Sequence, residues 1–134
     1  MSRILIIDDE PAFALMLRLH LCRLGGWPDA AVAGVSAPAA AQPHFSADNP
    51  AAWPEAVLVD WLLNNDDGMA YLEQLAADYR RTGRRAFLAL MTAASGAEEQ
   101  QLARRCAVID AQLLAKPFTA SRLQALLTAA GVTP

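Results

Sequence analysis

Hydrophobic residues along this chain fall into short blocks separated by longer stretches with helical spacing. Ile4–Ile7 is an unbroken apolar block, the mark of a strand covered on both faces. Pro11 can open a helix where its missing N–H is no loss. Phe13, Met16, Leu17, His20, Leu21 and Leu24 then follow at helical spacing as far as Gly25 and Gly26. Residues 30–35 read as a second, weaker strand, 56–60 (AVLVD) as a third, 86–92 (AFLALMT) as a fourth and 111–115 as a short fifth. Between the later strands, Met69, Leu72, Leu75, Ala76 and Tyr79 mark a helix closed by Thr82 and Gly83. Residues 96–106 form a polar helix with a thin apolar face, and Leu123, Leu126, Leu127 and Ala130 a last helix capped by Gly131. Only residues 36–55 lack a clear period, because Pro38, Pro43, Pro50 and Pro54 leave room for no more than a short helix in an irregular connection. Five alternations of strand and helix predict an α/β fold on a doubly wound parallel sheet, with residues 1–134 as one domain.

Charge begins where the apolar blocks end. The first strand ends at Asp8 and Asp9, the third on Asp60, the fourth on Thr92, and the fifth is followed by Lys116. The carboxyl ends of the strands in such a sheet share one edge, so these groups are expected to meet there. Carboxylates packed this closely repel one another and lose hydration. A hard divalent cation removes that cost, and oxygen ligands that leave room for water suit Mg2+, which commonly shares its shell between one or two carboxylates and phosphate oxygens. The same edge therefore suits a phosphoryl group, with Asp60 as the attacking carboxylate, Lys116 balancing charge and Thr92 donating a hydrogen bond. For Asp9 and Glu10 taken alone, a helix N-cap ahead of Pro11 is an equally good reading. Asp66 and Asp67 lie in a loop, 64–68 (NNDDG), that lacks the first carboxylate of a calcium loop; a turn before a helix fits them better.

Bulk properties narrow the classes. A hydrophobic fraction of 54% with 19% charged residues in 134 positions describes a folding domain with a real core. A net charge of −3 gives no bulk attraction to nucleic acid or to an anionic membrane. Cys22 and Cys106 make neither a disulfide framework nor a metal spacing, which suits a reducing cytoplasm. Of 11 basic residues only Lys116 is lysine. Arg80, Arg81, Arg84 and Arg85 around Gly83 read as a solvated helix end suited to the dipole. His20 and His44 stand apart from the acidic residues by spacing, and Trp53 and Trp61 read as packing residues.

The segments IIDDEP, VLVDWLLNNDDG, LMTA and LLAKPF resemble, in order and approximate spacing, the receiver domain of two-component response regulators. The resemblance spans nearly the whole chain and is weakest over residues 36–55. It implies a flavodoxin-like fold with strand order 2-1-3-4-5. It also implies Mg2+-dependent transfer of a phosphoryl group from a histidine kinase or phosphotransfer protein, a downstream effector, and no reaction beyond the domain's own phosphorylation and dephosphorylation. Asp60 becomes the phosphoacceptor. Asp9, Asp60 and the backbone carbonyl of Leu62 become metal ligands, and Asp8 holds a metal-bound water. Thr92 is the switch hydroxyl, and Lys116 the phosphoryl-binding cation before a cis peptide to Pro117.

Three positions depart from the pattern. Asn64 replaces a usual proline, which is expected to loosen its loop. Leu113 replaces an aromatic switch residue, and residues 106–110 (CAVID) lack the usual Gly-Ala. In the resembled family the positions of Leu62 and Ala94 tune hydrolysis, and neither side chain here can hold a water, so a long-lived aspartyl phosphate is expected. With no ring at 113, the signal is expected to leave through residues 92–96 and the helix after them, Leu113 staying packed. Residues 111–134 contain no Asp or Glu, which argues against a charge-paired dimer face on the last helix. The competing classes are a Mg2+-dependent phosphohydrolase and a receiver-like module no longer phosphorylated. The first wants an aspartate two residues after the nucleophile, where Glu10 and Leu62 stand; the second fits only the altered output face.

Overall fold

The computed structural model describes residues 3–134. Its main sheet holds strands β1 (Ile4–Ile7), β2 (Val32–Val35), β3 (Ala56–Asp60), β4 (Phe87–Thr92) and β5 (Gln112–Ala115). All pairings are parallel, in the order β2-β1-β3-β4-β5. Helices α1 (Pro11–Leu24), α2 (Pro38–Ala41), α3 (Gly68–Thr82), α4 (Gly96–Val108) and α5 (Ala120–Ala129) connect and cover them. This is the flavodoxin-like arrangement expected from the sequence. The outer strands start one or two residues later than their apolar blocks, and the stretch ahead of β2 is a 3-10 turn, Asp29–Ala31.

Every residue of β1, β3 and β4 is buried, as continuous apolar blocks require. Alternate side chains serve opposite faces. Ile4 and Ile6 join Leu17, Leu58, Met91 and Leu123 under α1 and α5. Leu5 and Ile7 join Val57, Val59, Leu72 and Leu102 under α3 and α4. The two layers hold β3 in the middle of the sheet, and β3 delivers Asp60 to the carboxyl edge.

The proline-rich connection is compact and pinned. It holds α2 and two 3-10 turns, Gln42–His44 and Pro50–Ala52, each with a proline in its first turn. Trp53 meets Phe45 and Tyr79 edge to face at 5.6 and 5.2 Å. Its indole N–H donates to the Ser46 carbonyl at 2.7 Å, and the Tyr79 hydroxyl to the Pro54 carbonyl at 2.6 Å. Arg84 donates to the carbonyls of Pro50 (2.9 Å) and Trp53 (2.5 Å). The reading of all four clustered arginines as solvated charge is thus wrong for Arg84, whose Nη1 satisfies two backbone acceptors of this connection. Trp53 is a packing residue as expected, and Trp61 is half-buried against the α3 and α4 layer.

Residues 64–68 also differ from a loosened loop. Leu62–Leu63 pairs antiparallel with Asp66–Asp67 around a turn of Asn64 and Asn65, a residue type common in turns. Asp67 is the N-cap of α3, its carboxylate accepting from the N–H groups of Met69 (3.0 Å) and Ala70 (3.3 Å). A Cβ on Gly68 would lie 1.9 Å from the Asp60 carbonyl oxygen, so only glycine lets α3 begin this close to the end of β3.

Candidate functional site

Among the described residues the buried polar or charged side chains are Asp8, Asp60 and Thr92, at 1%, 7% and 2% exposure. Asp60 and Thr92 end their strands and Asp8 directly follows β1, all at the carboxyl edge of the sheet. Registers explain the convergence: Ile7 faces Val59, Asp60 faces Met91 and Thr92 faces Ala115, so the residues after β1, β3, β4 and β5 come level. The backbone closes the edge further, with the Lys116 N–H donating to the Thr92 carbonyl at 2.7 Å and the Trp61 N–H to the Met91 carbonyl at 2.9 Å.

The carboxylates of Asp8, Asp9 and Asp60 bring oxygens within 4.8 Å of one another. Lys116 Nζ lies 3.0 Å from Asp8 Oδ2 and 3.0 Å from Asp60 Oδ1. The other Asp8 oxygen accepts from the Glu10 N–H at 2.8 Å. Glu10 occupies the N-cap of α1 but makes no side-chain capping bond, so its carboxylate does not cap the helix. Thr92 Oγ1 accepts from the Ala94 N–H at 2.9 Å, which leaves the hydroxyl proton free to donate. A cleft of about 340 Å³ opens in front of Asp60, lined also by Leu62, Thr92, Ala94, Glu98 and Lys116. Leu62 stands at its rim with 66% of its surface exposed. Leu113, opposite Leu90 on β5, is half-buried rather than enclosed, packed in the layer under α3 and α4 and outside the acidic cluster. The Lys116–Pro117 peptide is cis.

Burial pushes the Asp60 carboxyl above its ordinary 3.8. The Lys116 hydrogen bond pulls the other way without prevailing, and the negative charges of Asp8 and Asp9 add to the rise. Burial works against the charge on Lys116 too, but its bonds to Asp8 and Asp60 outweigh that and raise it above 10.5. Three carboxylates against one ammonium leave the cluster short of positive charge. An all-oxygen set of this spacing fits a hard divalent ion.

Two features escaped the sequence reading. Glu10 and Glu98 line the cleft, and an acidic residue in the first turn of a helix carries no signal distinguishing that position from an ordinary dipole partner. The other is Phe13, whose ring centroid lies 4.3 Å from Lys116 Nζ. Helical spacing from Asp9 could have placed Phe13 over the same edge.

A domain with this sheet order, and with buried acidic groups and a lysine at its carboxyl edge, has the receiver fold. Solved structures agree over almost the full length. The signal receiver domain of a DNA-binding response regulator from Colwellia psychrerythraea 34H superimposes with a TM-score of 0.76 at 20% identity, covering 98% of each chain. The BeF3-activated receiver domain of DrrB gives 0.69 at 18% identity over 96% of both chains. The chemotaxis protein CheY4 of Vibrio cholerae gives 0.64 at 17% identity, over 96% of this chain and 98% of that one. No family model and no curated protein matches the chain.

Proposed function

We propose that this chain is a receiver domain of two-component signalling, which takes a phosphoryl group from a phosphohistidine donor onto Asp60 and changes its partner contacts as a result. The observation that carries the reading is the bridging of Asp8 and Asp60 by Lys116 at 3.0 Å to each, beside the third carboxylate of Asp9. A phosphohydrolase would need an aspartate two residues after its nucleophile, where Leu62 stands after Asp60 and Glu10 after Asp8. A phosphorylation-silent module gives no reason for Asp8, Asp9, Asp60, Thr92 and Lys116 to be gathered at one edge.

In the reaction an Asp60 oxygen attacks phosphorus, the P–N bond to the donor imidazole breaks, and the imidazole leaves with its electron pair. Asp9, Asp60 and the Leu62 carbonyl would hold Mg2+, with Asp8 acting through a water. The ion would neutralise charge on the phosphoryl oxygens. Lys116 exchanges its bond to Asp60 for one to a phosphoryl oxygen, and Thr92 donates its free proton to another. A hydrogen bond to a charged oxygen supplies about 1.5–3 kcal/mol. Moving a minor state from about 1% to 99% takes roughly 5.5 kcal/mol, more than the Thr92 bond alone supplies, and Lys116 only exchanges one charged partner for another, so the switch is partial. The partners are then a histidine kinase or phosphotransfer protein and an effector, in the cytoplasm.

Mass spectrometry after incubation with acetyl phosphate tests the reading. One phosphoryl group should appear only with Mg2+, and Asp60→Asn should abolish it. Incorporation that persists in Asp60→Asn would overturn the assignment.

A further inference from the structure

We infer that Phe13 is a positioning residue for Lys116, its ring face holding the ammonium where it reaches Asp60; the role rests on the receiver reading above. Lys116 has a flexible four-carbon stem and stands between two carboxylates that pull it in different directions. The Phe13 ring supplies a third contact, 4.3 Å from Nζ to its centroid and within reach of a cation–π attraction. Only 15% of the Lys116 side chain is exposed, and desolvation places the contact toward the stronger end of its range. The ring is itself fixed. Phe118 meets it edge to face at 5.7 Å and 81°. Phe118 is buried and follows Lys116 by two residues, so one ring on α1 grips the segment after β5 at two points.

The value of this contact lies in its indifference to the charge of Asp60. When the carboxylate oxygen becomes bonded to phosphorus, the ion pair between Lys116 and Asp60 is lost and the ammonium must turn to the phosphoryl oxygens. The neutral ring holds the ammonium before and after that exchange. It also links α1, where Leu15, Met16 and Leu19 are exposed, directly to the cation of the site.

Ordinary packing is the competing account, since Phe13 also touches the layer under α1 and α5. A leucine keeps the apolar volume but has no π face, which separates the two. Lys116 is the single lysine of the chain, so selective lysine labelling gives one side-chain signal without assignment. We expect its Hε resonances upfield of the random-coil position through the ring current of Phe13. Phe13→Leu should return them toward random coil and slow phosphoryl uptake from acetyl phosphate about fivefold, the scale of a partly desolvated cation–π contact. Phe13→Tyr should retain both. Pentafluorophenylalanine at position 13 keeps the ring's shape and reverses the charge of its face, so it should slow uptake even if Phe13→Leu folds poorly. A wild-type rate in Phe13→Leu or in the fluorinated protein, or a random-coil Lys116 signal in the wild type, would overturn the role of Phe13 alone. Absence of uptake by the wild type would overturn the receiver reading and this role with it.

Discussion

Strand β3 has a carboxylate at each end, and the two meet opposite conditions. Glu55, just ahead of Ala56, is half-exposed and paired one to one with Arg3, whose hydrogen bond holds its carboxyl below the usual 4.5. Asp60 closes the strand, buried beside two more aspartates, and stands above its usual value although an ammonium lies 3.0 Å away. At the first end the protein satisfies its own groups: the Phe87 N–H donates to the Glu55 carbonyl, Tyr79 to the carbonyl of Pro54, and Arg84 to that of Trp53. At the second end it leaves more negative charge than it offsets. The self-sufficient end is built for stability, and the deficient one is left with an acidic group that could take up a cation.

The sharpest way to break this comparison is to damage the self-sufficient end. Trp53 is buried, contacts two aromatic rings and donates a hydrogen bond, so Trp53→Ala should cost about 3–4 kcal/mol, within the range for large-to-small aromatic changes. Urea unfolding measures the loss. Phosphoryl uptake by the fraction still folded should be unchanged, because the aromatic trio shares no residue with the acidic cleft. Uptake that falls in proportion to the loss of stability would show that the two ends are not separable.

At the deficient end the sign reverses. An acid whose carboxyl is raised on folding binds its proton more tightly folded than unfolded, so stability falls as pH rises above the ordinary 3.8 through the raised value. In metal-free buffer the melting temperature should show this downward contribution. Asp60→Asn should remove it and melt higher, since Lys116 keeps Asp8 as a partner at 3.0 Å. Added Mg2+ should stabilise the wild type and leave the variant nearly unmoved. A lower melting temperature for Asp60→Asn in metal-free buffer would mean that the cluster contributes to stability rather than drawing on it.

The deficient end was the more legible in the sequence, for a physical reason. Each of its groups interrupts or ends an apolar block, and parallel strands come level at their carboxyl ends, so Asp8, Asp60, Thr92 and Lys116 could be gathered from spacing alone. The first end is held by edge-to-face rings and by side chains reaching backbone carbonyls. Those contacts join residues from 7 to 34 positions apart and follow no period. The hairpin of Leu62 to Asp67 was missed because two-residue strands show no alternation. Phe13 was read only as one of a helical series, since its partner Lys116 lies far along the chain and a ring over a cation leaves no pattern in sequence.

The smallest expected effect belongs to Glu55 and closes the comparison by its sign. A carboxyl lowered on folding contributes stability that is present above the ordinary 4.5 and is lost as pH falls through the lowered value. This trend runs opposite to that of Asp60 on the same strand. The pair is half-exposed, with side-chain exposures of 38% for Arg3 and 35% for Glu55, so solvent screens much of it. Arg3 also lies over the Trp27 ring at 4.8 Å and keeps that contact when the carboxylate is removed. Glu55→Gln should therefore cost about 0.5 kcal/mol at neutral pH, less in high salt, and nothing once the wild-type carboxyl is protonated. Chemical denaturation of both proteins at neutral and acidic pH reads the difference directly. A cost that matches Trp53→Ala, or one that persists at acidic pH, would place the strength of this end in its ion pair rather than in the rings and carbonyl bonds beside it.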